Sequence, residues 1–510
     1  MKKIPLIFIF LLCTSEAFSA SSPNVPMGDP VYRVIDKIIA KGRQYDIIYG
    51  QRPWSRGEIA RILARADKKI NRDDPIRPLL DKWLKEFSQD LALIHSLEVQ
   101  YTLMSADSRA VPDNGLGLID GQINPLTAYN EGRHIFSGNT LSLETEHGRR
   151  VTPYFSFYFR PRIQAGSSLE GDANAGFYVQ QLYGKFNYKS LELEAGRDTI
   201  AWGQGESGGI LFSNNARPFD LAKITMLFKF GGIKTTLFTA NLGPEREFPT
   251  SYLSGFKFSC RPSSSLEIGV SQALVWGGDG APGPLTFGNI MREFFLTRPG
   301  TTDLSNRELG FDFRYWFRFL RNSQLYLDIQ FEDKEEKTLS FLFGDLASYH
   351  AGFYVPLLDR AGKMDLRLEY RHSSPFFYRH GAWVTGMALN RRIWGDELGP
   401  QADGAYATFS SDISRRTTLQ TIFQYERRDS DLLTQAEDSR SRNRHLTTLD
   451  ARPEETRWAV LIGTEYELKK NWHLKGKVGF ERIYGFNFSP GDDRNHGLVQ
   501  AGVLYTFPTH

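Results

Sequence analysis

From about residue 94 to the C-terminus the sequence alternates with a period of two, and this excludes most folds for the chain. In YFSFYFR (154–160), Phe155, Phe157 and Phe159 share one face while Ser156 and Arg160 take the other. LELEA (191–195), FDFRYW (311–316), LYLDIQF (325–331), MDLRLEY (364–370) and LKGKVGF (474–480) repeat the scheme. Successive side chains on a strand point to opposite sides, so each segment has one charged and one apolar face. A soluble sandwich also alternates, with its apolar face turned inward. Strands that carry two or three charges facing the same way favour the inverse, with the apolar face to lipid and the polar face to a lumen. Tyr183, Tyr188, Trp316, Tyr354 and Tyr370 near strand ends read as an interfacial aromatic girdle. Connections of a few residues contrast with long polar ones such as 278–306 and 428–456. GLVQAGVLYTF (497–507) reads as a last strand ending in an aromatic residue, with Pro508, Thr509 and His510 beyond it. The expectation is a mainly β protein, a large antiparallel transmembrane β-barrel of roughly 16–20 strands.

The first ninety residues differ. Lys2 and Lys3 precede an apolar run from Ile4 to Cys13, and the small residues Ala17, Ser19 and Ala20 follow. This is the pattern of a secretory signal peptide, too short for a membrane span. Residues 25–90 carry helix punctuation. Asp29-Pro30 starts one helix, with Val31, Ile35, Ile38 and Ile39 on one face and Gly42 at its end. Ser55 and Glu58 make a capping box before Ile59, Ile62, Leu63 and Ala66. A third helix opens at Asp74-Pro75 with Leu79, Leu80, Trp83, Leu84 and Phe87 as its apolar stripe. The expected organisation is a signal peptide (1–20), a small α-helical bundle (21–92) and an outer-membrane barrel (93–510).

Composition excludes several functions. With 62 basic and 59 acidic side chains there is no basic domain for nucleic acid. Removal of the signal peptide leaves Cys260 as the only thiol, so no intrachain disulfide is available. The ten histidines lack metal-ligand spacing, and no metal or cofactor is expected. No apolar run after the signal is long enough for a spanning helix. His372 beside Ser373 and Ser374 raises an outer-membrane hydrolase, but neighbouring residues alternate across a sheet, so at least one serine points away from the imidazole. No catalytic residue is assigned.

GRDTIAWGQGESGGILFSNN (196–215) contains a literal G-x-G-x-x-G at Gly203, Gly205 and Gly208. A dinucleotide fingerprint needs a helix after its third glycine, and here Ile210-Leu-Phe-Ser-Asn-Asn leads to Pro218 instead. Turn chemistry and sugar chemistry remain. An indole with amides and charges suits a carbohydrate, stacking on its apolar face and answering its hydroxyls.

Gly196-Arg-Asp, Trp202-Gly-Gln-Gly and Ser213-Asn-Asn-Ala-Arg-Pro-Phe219 resemble the signature of the capsule assembly protein Wzi family. Val25-Pro-Met-Gly-Asp-Pro with Arg52-Pro-Trp-Ser-Arg-Gly-Glu-Ile59 is similar to that family's opening helices, and Asn390-Arg-Arg-Ile-Trp-Gly-Asp-Glu-Leu-Gly-Pro400 to a later barrel motif. The resemblance implies a non-enzymatic outer-membrane lectin, with the helical bundle of 21–92 at its periplasmic end, that helps hold capsular or extracellular polysaccharide on the cell surface. Expected partners are that polymer and outer-membrane lipids, with the chain a monomer. The candidate polysaccharide-binding residues are Arg197, Asp198, Trp202, Gln204, Asn214, Asn215 and Arg217, with Arg391, Arg392 and Trp394 from the second motif. The competing expectation is an open diffusion channel for small solutes or oligosaccharides.

Overall fold

The computed structural model describes residues 20–42, 47–88, 93–228, 232–282, 288, 305–332, 347–437 and 444–508. Eighteen of the described strands close into one barrel. They are β1 Leu93–Ser105, β2 Gly138–Arg150, β3 Phe155–Ser168, β4 Ala173–Tyr188, β5 Leu191–Asp198, β6 Phe219–Phe228, β7 Ile233–Asn241, β8 Tyr252–Ser263 and β9 Leu266–Trp276. The second half comprises β10 Ser305–Phe317, β11 Ser323–Glu332, β12 Ala347–Val355, β13 Met364–Ser373, β14 Ala402–Asp412, β15 Thr417–Arg428, β16 Glu455–Lys469, β17 Trp472–Tyr484 and β18 Arg494–Thr506. Every strand pairs antiparallel with the next, and β18 returns to β1 with Val503 opposite Val99, so no edge is left open.

The alternation sets which way each side chain faces. Leu143, Phe157, Leu193, Phe311, Phe423, Val478 and Val499 are exposed on the outer wall, while Lys185, Glu194, Lys257, Asp312, Arg314 and Arg457 are buried inside. An apolar exterior around a charged interior defines a membrane-spanning barrel. Among the described residues no helix is long and apolar enough to cross a membrane. Short turns such as 189–190, 264–265 and 470–471 gather at one end; the connections 106–137, 199–218 and 374–401, with 429–437 and 444–454, gather at the other.

The aromatic girdle needs correction. Tyr188 and Tyr370 are exposed on the outer wall, but Tyr183, Trp316 and Tyr354 are buried inside. Trp316 shares parity with Arg314, and the Arg367 guanidinium lies 4.1 Å from the centre of the Tyr354 ring. These three belong to the lumen. The expected long loop 278–306 lies mostly outside the described residues.

Among the described residues three α-helices pack at the short-turn end: α1 Val31–Gly42, α2 Arg56–Asp67 and α3 Arg77–Ser88. The Asp29 carboxylate accepts from the Val31 amide at 2.8 Å, and the Ser55/Glu58 capping box is complete. The apolar stripes form one core that also takes in Trp316, Leu357 and Ala201 from the barrel. Charge fixes α1 in place. Arg33 pairs with Asp365 at 2.8 Å and also with Asp412, and Lys37 reaches Asp412 at 2.8 Å.

Candidate functional site

The glycine-rich stretch turns into the lumen and joins three distant parts of the chain. No helix follows its glycines. Gln51 and Arg52 pair antiparallel with Trp202 and Ala201, and the Gly203 amide donates to the Gly50 carbonyl at 3.1 Å. The Arg52 guanidinium donates to the carbonyls of Gly205 and Glu206, the latter at 2.6 Å. Gly203 sits at φ +118°, where a side chain is strained, and a Cβ on Gly205 would overlap the His350 ring. On the long-loop side, the Ser213 amide donates to the Trp394 carbonyl at 2.8 Å. All three segments that carry the family resemblance meet in this plug.

Six of the ten candidate residues are buried in it. Asp198 accepts from Asn24 and Gln181, each at 2.7 Å. Trp202 packs edge-on against Phe212 and Phe238, and Trp394 against Phe219. Gln204 donates to Asp312 at 2.6 Å and to Glu267 at 3.1 Å, and accepts from Arg314 at 2.9 Å. Asn214 and Asn215 donate to the carbonyls of Tyr129 and Ile393, both at 2.9 Å. Asp198, Gln204 and Asn215 spend their polar atoms on the protein itself, while the Asn214 Oδ1 and the Trp394 Nε1 are buried without a hydrogen-bond partner.

The other four come together. Arg197, Arg217, Arg391 and Arg392 line a cleft of about 800 Å³ at the long-loop end, between the β3–β4 hairpin and the loops 106–137 and 374–401. Arg197 grips Asp220 with two bonds, at 2.7 and 2.8 Å. Arg217 donates to Asn390 at 2.7 Å, and Arg391 meets Asp120 at 3.2 Å with most of its side chain exposed. Arg133 and Arg162 complete six arginines, against only Asp107 and Asp172 among the acidic lining residues. Four of the six are paired with carboxylates, Arg197 and Arg217 with Asp220, Arg391 with Asp120 and Arg133 with Glu131 and Glu144, so the cleft's capacity for an anion rests on arginine donors not taken up by those pairs.

The local charges behave accordingly. Burial, then the neighbouring Arg197, lowers the Arg217 guanidinium below its ordinary value, and burial lowers Arg392. Burial, Arg392 and Arg162 push the His134 imidazole down, so it is neutral at neutral pH. Phe136 and the half-exposed Tyr178 supply aromatic surface. Sequence reasoning missed Arg133, His134, Phe136, Arg162 and Tyr178. The signal for the first three was the basic-aromatic run Gly132-Arg-His-Ile-Phe136 inside a long loop; Arg162 and Tyr178 had none beyond their strand parity.

The competing chemistries lack geometry. His372 pairs with Asp403 at 2.9 Å and stacks on Tyr349. Ser373 is buried on the opposite face of β13, and the Ser374 hydroxyl accepts from the Phe376 amide at 3.2 Å. Among the described residues there is no cluster of three or more His, Cys, Asp or Glu that could hold a metal. The helix core takes in Trp316 from the barrel wall, and a second apolar cluster around Trp202, Phe212, Trp383 and Trp394 packs on Leu221, Phe238 and Leu253 of the wall.

Fold and cleft together define a class: a closed outer-membrane β-barrel with helices packed at its short-turn end and an arginine-lined cleft at its long-loop mouth. The family model described as capsule assembly protein Wzi matches residues 121–498, and the chain belongs to that family. A solved structure described as Wzi of Escherichia coli, an outer membrane protein involved in group 1 capsule assembly and a carbohydrate-binding β-barrel, superposes with a TM-score of 0.67. It is 16% identical, with 96% of this chain and 100% of that chain covered, so the likeness is one of fold. An uncharacterised 55.8 kDa protein in the cps region of Klebsiella pneumoniae is 21% identical over 275 residues, 52% of this chain. The match spans only about half (49%) of that relative's own length. The Pseudomonas aeruginosa protein OccD3 matches at a TM-score of 0.46 and 8% identity over 82% of this chain and 91% of that one, which is too distant to carry an argument.

Proposed function

We propose that this protein is a non-enzymatic outer-membrane lectin that holds an acidic surface polysaccharide, and so helps attach capsule or exopolysaccharide to the cell. The observation that carries the reading is the arginine-lined cleft of about 800 Å³ at the long-loop mouth. Long loops face the exterior in such barrels and short turns the periplasm, which puts the cleft outside and α1–α3 on the periplasmic side. A guanidinium matches a carboxylate or phosphate with two parallel hydrogen bonds, and Tyr178 offers a ring on which a sugar can stack. Arg391 and Arg392 are the freest of the set for such pairing. The ten residues expected from sequence divide on this view: Arg197, Arg217, Arg391 and Arg392 meet the polymer, while the six buried ones hold the loops that present them.

The test is genetic. Deletion leaves polymer synthesis intact and releases polymer into the medium, measured as uronic acid in the cell pellet against the supernatant. Unchanged cell-associated polymer in the deletion strain refutes the proposal. Restoration by a variant lacking Arg217, Arg391 and Arg392 refutes the assignment of the cleft.

A further inference from the structure

Behind the outer cleft lies a second cavity of about 300 Å³, against the wall built by β1–β3 and β16–β18. Arg133, Ile135 and Arg162 line both spaces and form the partition between them. The carboxylates at this partition are already engaged. Glu144 is held by Arg133 at 3.0 Å and also by Arg160, and Glu131 by Arg133 at 2.9 Å and Arg160 at 3.0 Å. On the inner side Glu98 is taken by Lys475 at 3.1 Å.

Arg162 has no such arrangement. It is only 2% exposed, yet its Nε and Nη2 have no hydrogen-bond partner. β3 carries an irregularity between Arg160 and Pro161, and both Arg160 and Arg162 are turned away from the lipid face. Its cross-strand neighbour Glu144 is the carboxylate already shared by the other two arginines. The inner cavity adds a second cation, Lys477, on its lining. A buried guanidinium is tolerated when its planar donors meet a matching acceptor. Arg162 stands at the boundary between the two cavities, with those donors buried and unpaired.

We propose that Arg162 is the floor of an internal oxyanion subsite, which takes one carboxylate or phosphate group entering through the outer cleft. The shared chemistry is a planar or tetrahedral oxyanion, either the acid group of a sugar or free inorganic phosphate. The subsite stands apart from polymer attachment, because a free anion would occupy it equally well.

The experiment uses the full-length folded protein in detergent, with chloride exchanged for phosphate or glucuronate at constant ionic strength. In the wild type one or both anions raise the unfolding temperature saturably, as a ligand of the native state must. Arg162→Met abolishes the response. In chloride this variant is at least as stable as the wild type, because a buried charge without a hydrogen-bond partner has been removed. Arg162→Lys keeps the charge but loses the forked donor, and it binds the same anion about tenfold more weakly by titration calorimetry. A response to glucuronate alone assigns a sugar acid and to phosphate alone a free phosphate; either sustains the site. Arg392→Gln, on the outer rim, keeps the response even where polymer retention is lost, which separates this subsite from the attachment reading. No saturable shift relative to chloride in the wild type overturns the proposal, as does a full response in Arg162→Met or unweakened binding in Arg162→Lys.

Discussion

Replacing Gln204 by leucine tests how the plug is held. Its side chain makes three buried hydrogen bonds to charged groups, donating to Asp312 and Glu267 and accepting from Arg314. Such bonds contribute roughly 1.5–3 kcal/mol each. The partners are not stranded by the change. Asp312 keeps Lys257, Glu267 keeps the amides of Tyr49 at 2.9 Å and Gly50 at 2.8 Å, and Arg314 keeps the Gln204 carbonyl and Gln324. The low end of the range therefore applies, and the three bonds together come to about 4–5 kcal/mol. At about 1.4 kcal/mol per tenfold, the undocked population of the stretch rises roughly a thousandfold. The barrel ladder is untouched, so the protein still folds. Native-state amide exchange reads the effect directly, since the amides of Trp202 and Gly209 donate to the Phe212 carbonyl at 3.1 and 3.0 Å. Those amides exchange roughly a thousandfold faster in Gln204→Leu, while amides in β16 and β17 keep wild-type rates. Unchanged exchange at Trp202 and Gly209 refutes the claim that this network anchors the plug.

Three further outcomes are expected. Combined Arg217→Ala, Arg391→Ala and Arg392→Ala weakens binding of purified acidic polymer roughly ten- to thirtyfold at low salt. The residual binding of that variant depends less on salt than that of the wild type, and a steep wild-type salt dependence persisting in it counts against the cleft. Val478→Arg puts a charge on the lipid face of β17 and lowers the stability of the barrel in phospholipid vesicles by about 2–4 kcal/mol; an unshifted denaturant midpoint would mean that Val478 does not face lipid. Burial, then the nearby Glu426, pushes the Glu397 carboxyl in the 374–401 loop up to about 8, against about 4.3 in an unfolded chain. Between those values the folded state binds the extra proton, so loop stability is highest below about pH 4.3 and falls as pH rises through about 8. Glu397→Gln flattens that fall in amide exchange of the loop, and a retained slope in the variant removes Glu397 as its cause.

Much of the barrel was legible because a strand writes its environment every second residue. FDFRYW alone states that Phe311, Phe313 and Tyr315 face one way and Asp312, Arg314 and Trp316 the other. The inward direction of Trp316 is contained in that parity, and proximity to a strand end is the weaker guide. Tyr183 shares parity with Gln181 and Lys185 in the same manner. The helices were legible through their ends: a capping box is a local contact, complete within four residues. What sequence could not supply is convergence. Nothing in a single segment places Arg52 against the carbonyls of Gly205 and Glu206, or Ser213 against Trp394, because barrel closure and loop return decide those contacts. The same holds for Arg162, whose role depends on Glu144 being occupied by Arg133 and Arg160.

Tryptophan, asparagine, glutamine and aspartate around glycines resemble a sugar site for a physical reason. A loop folded into a charged lumen leaves backbone amides and carbonyls away from water, and each needs a partner. The groups that answer them are the amides and carboxylates that would answer sugar hydroxyls. Asn215 shows the equivalence, since it donates to the Ile393 carbonyl and accepts from the Tyr129 amide at 3.3 Å, the same pair of bonds that two sugar hydroxyls would take. Residue type therefore cannot separate a plug from a lectin site; the state of the polar atoms can. In Gln204, Asn215 and Asp198 those atoms are spent on the protein. Arg391 meets an exposed Asp120 with most of its own side chain exposed, and Arg392 is partly exposed at the cleft wall, which is why the proposed attachment site is put on them. The glycine-rich segment shapes the mouth of the barrel, and the arginines it helps to present are where an acidic polymer would be met.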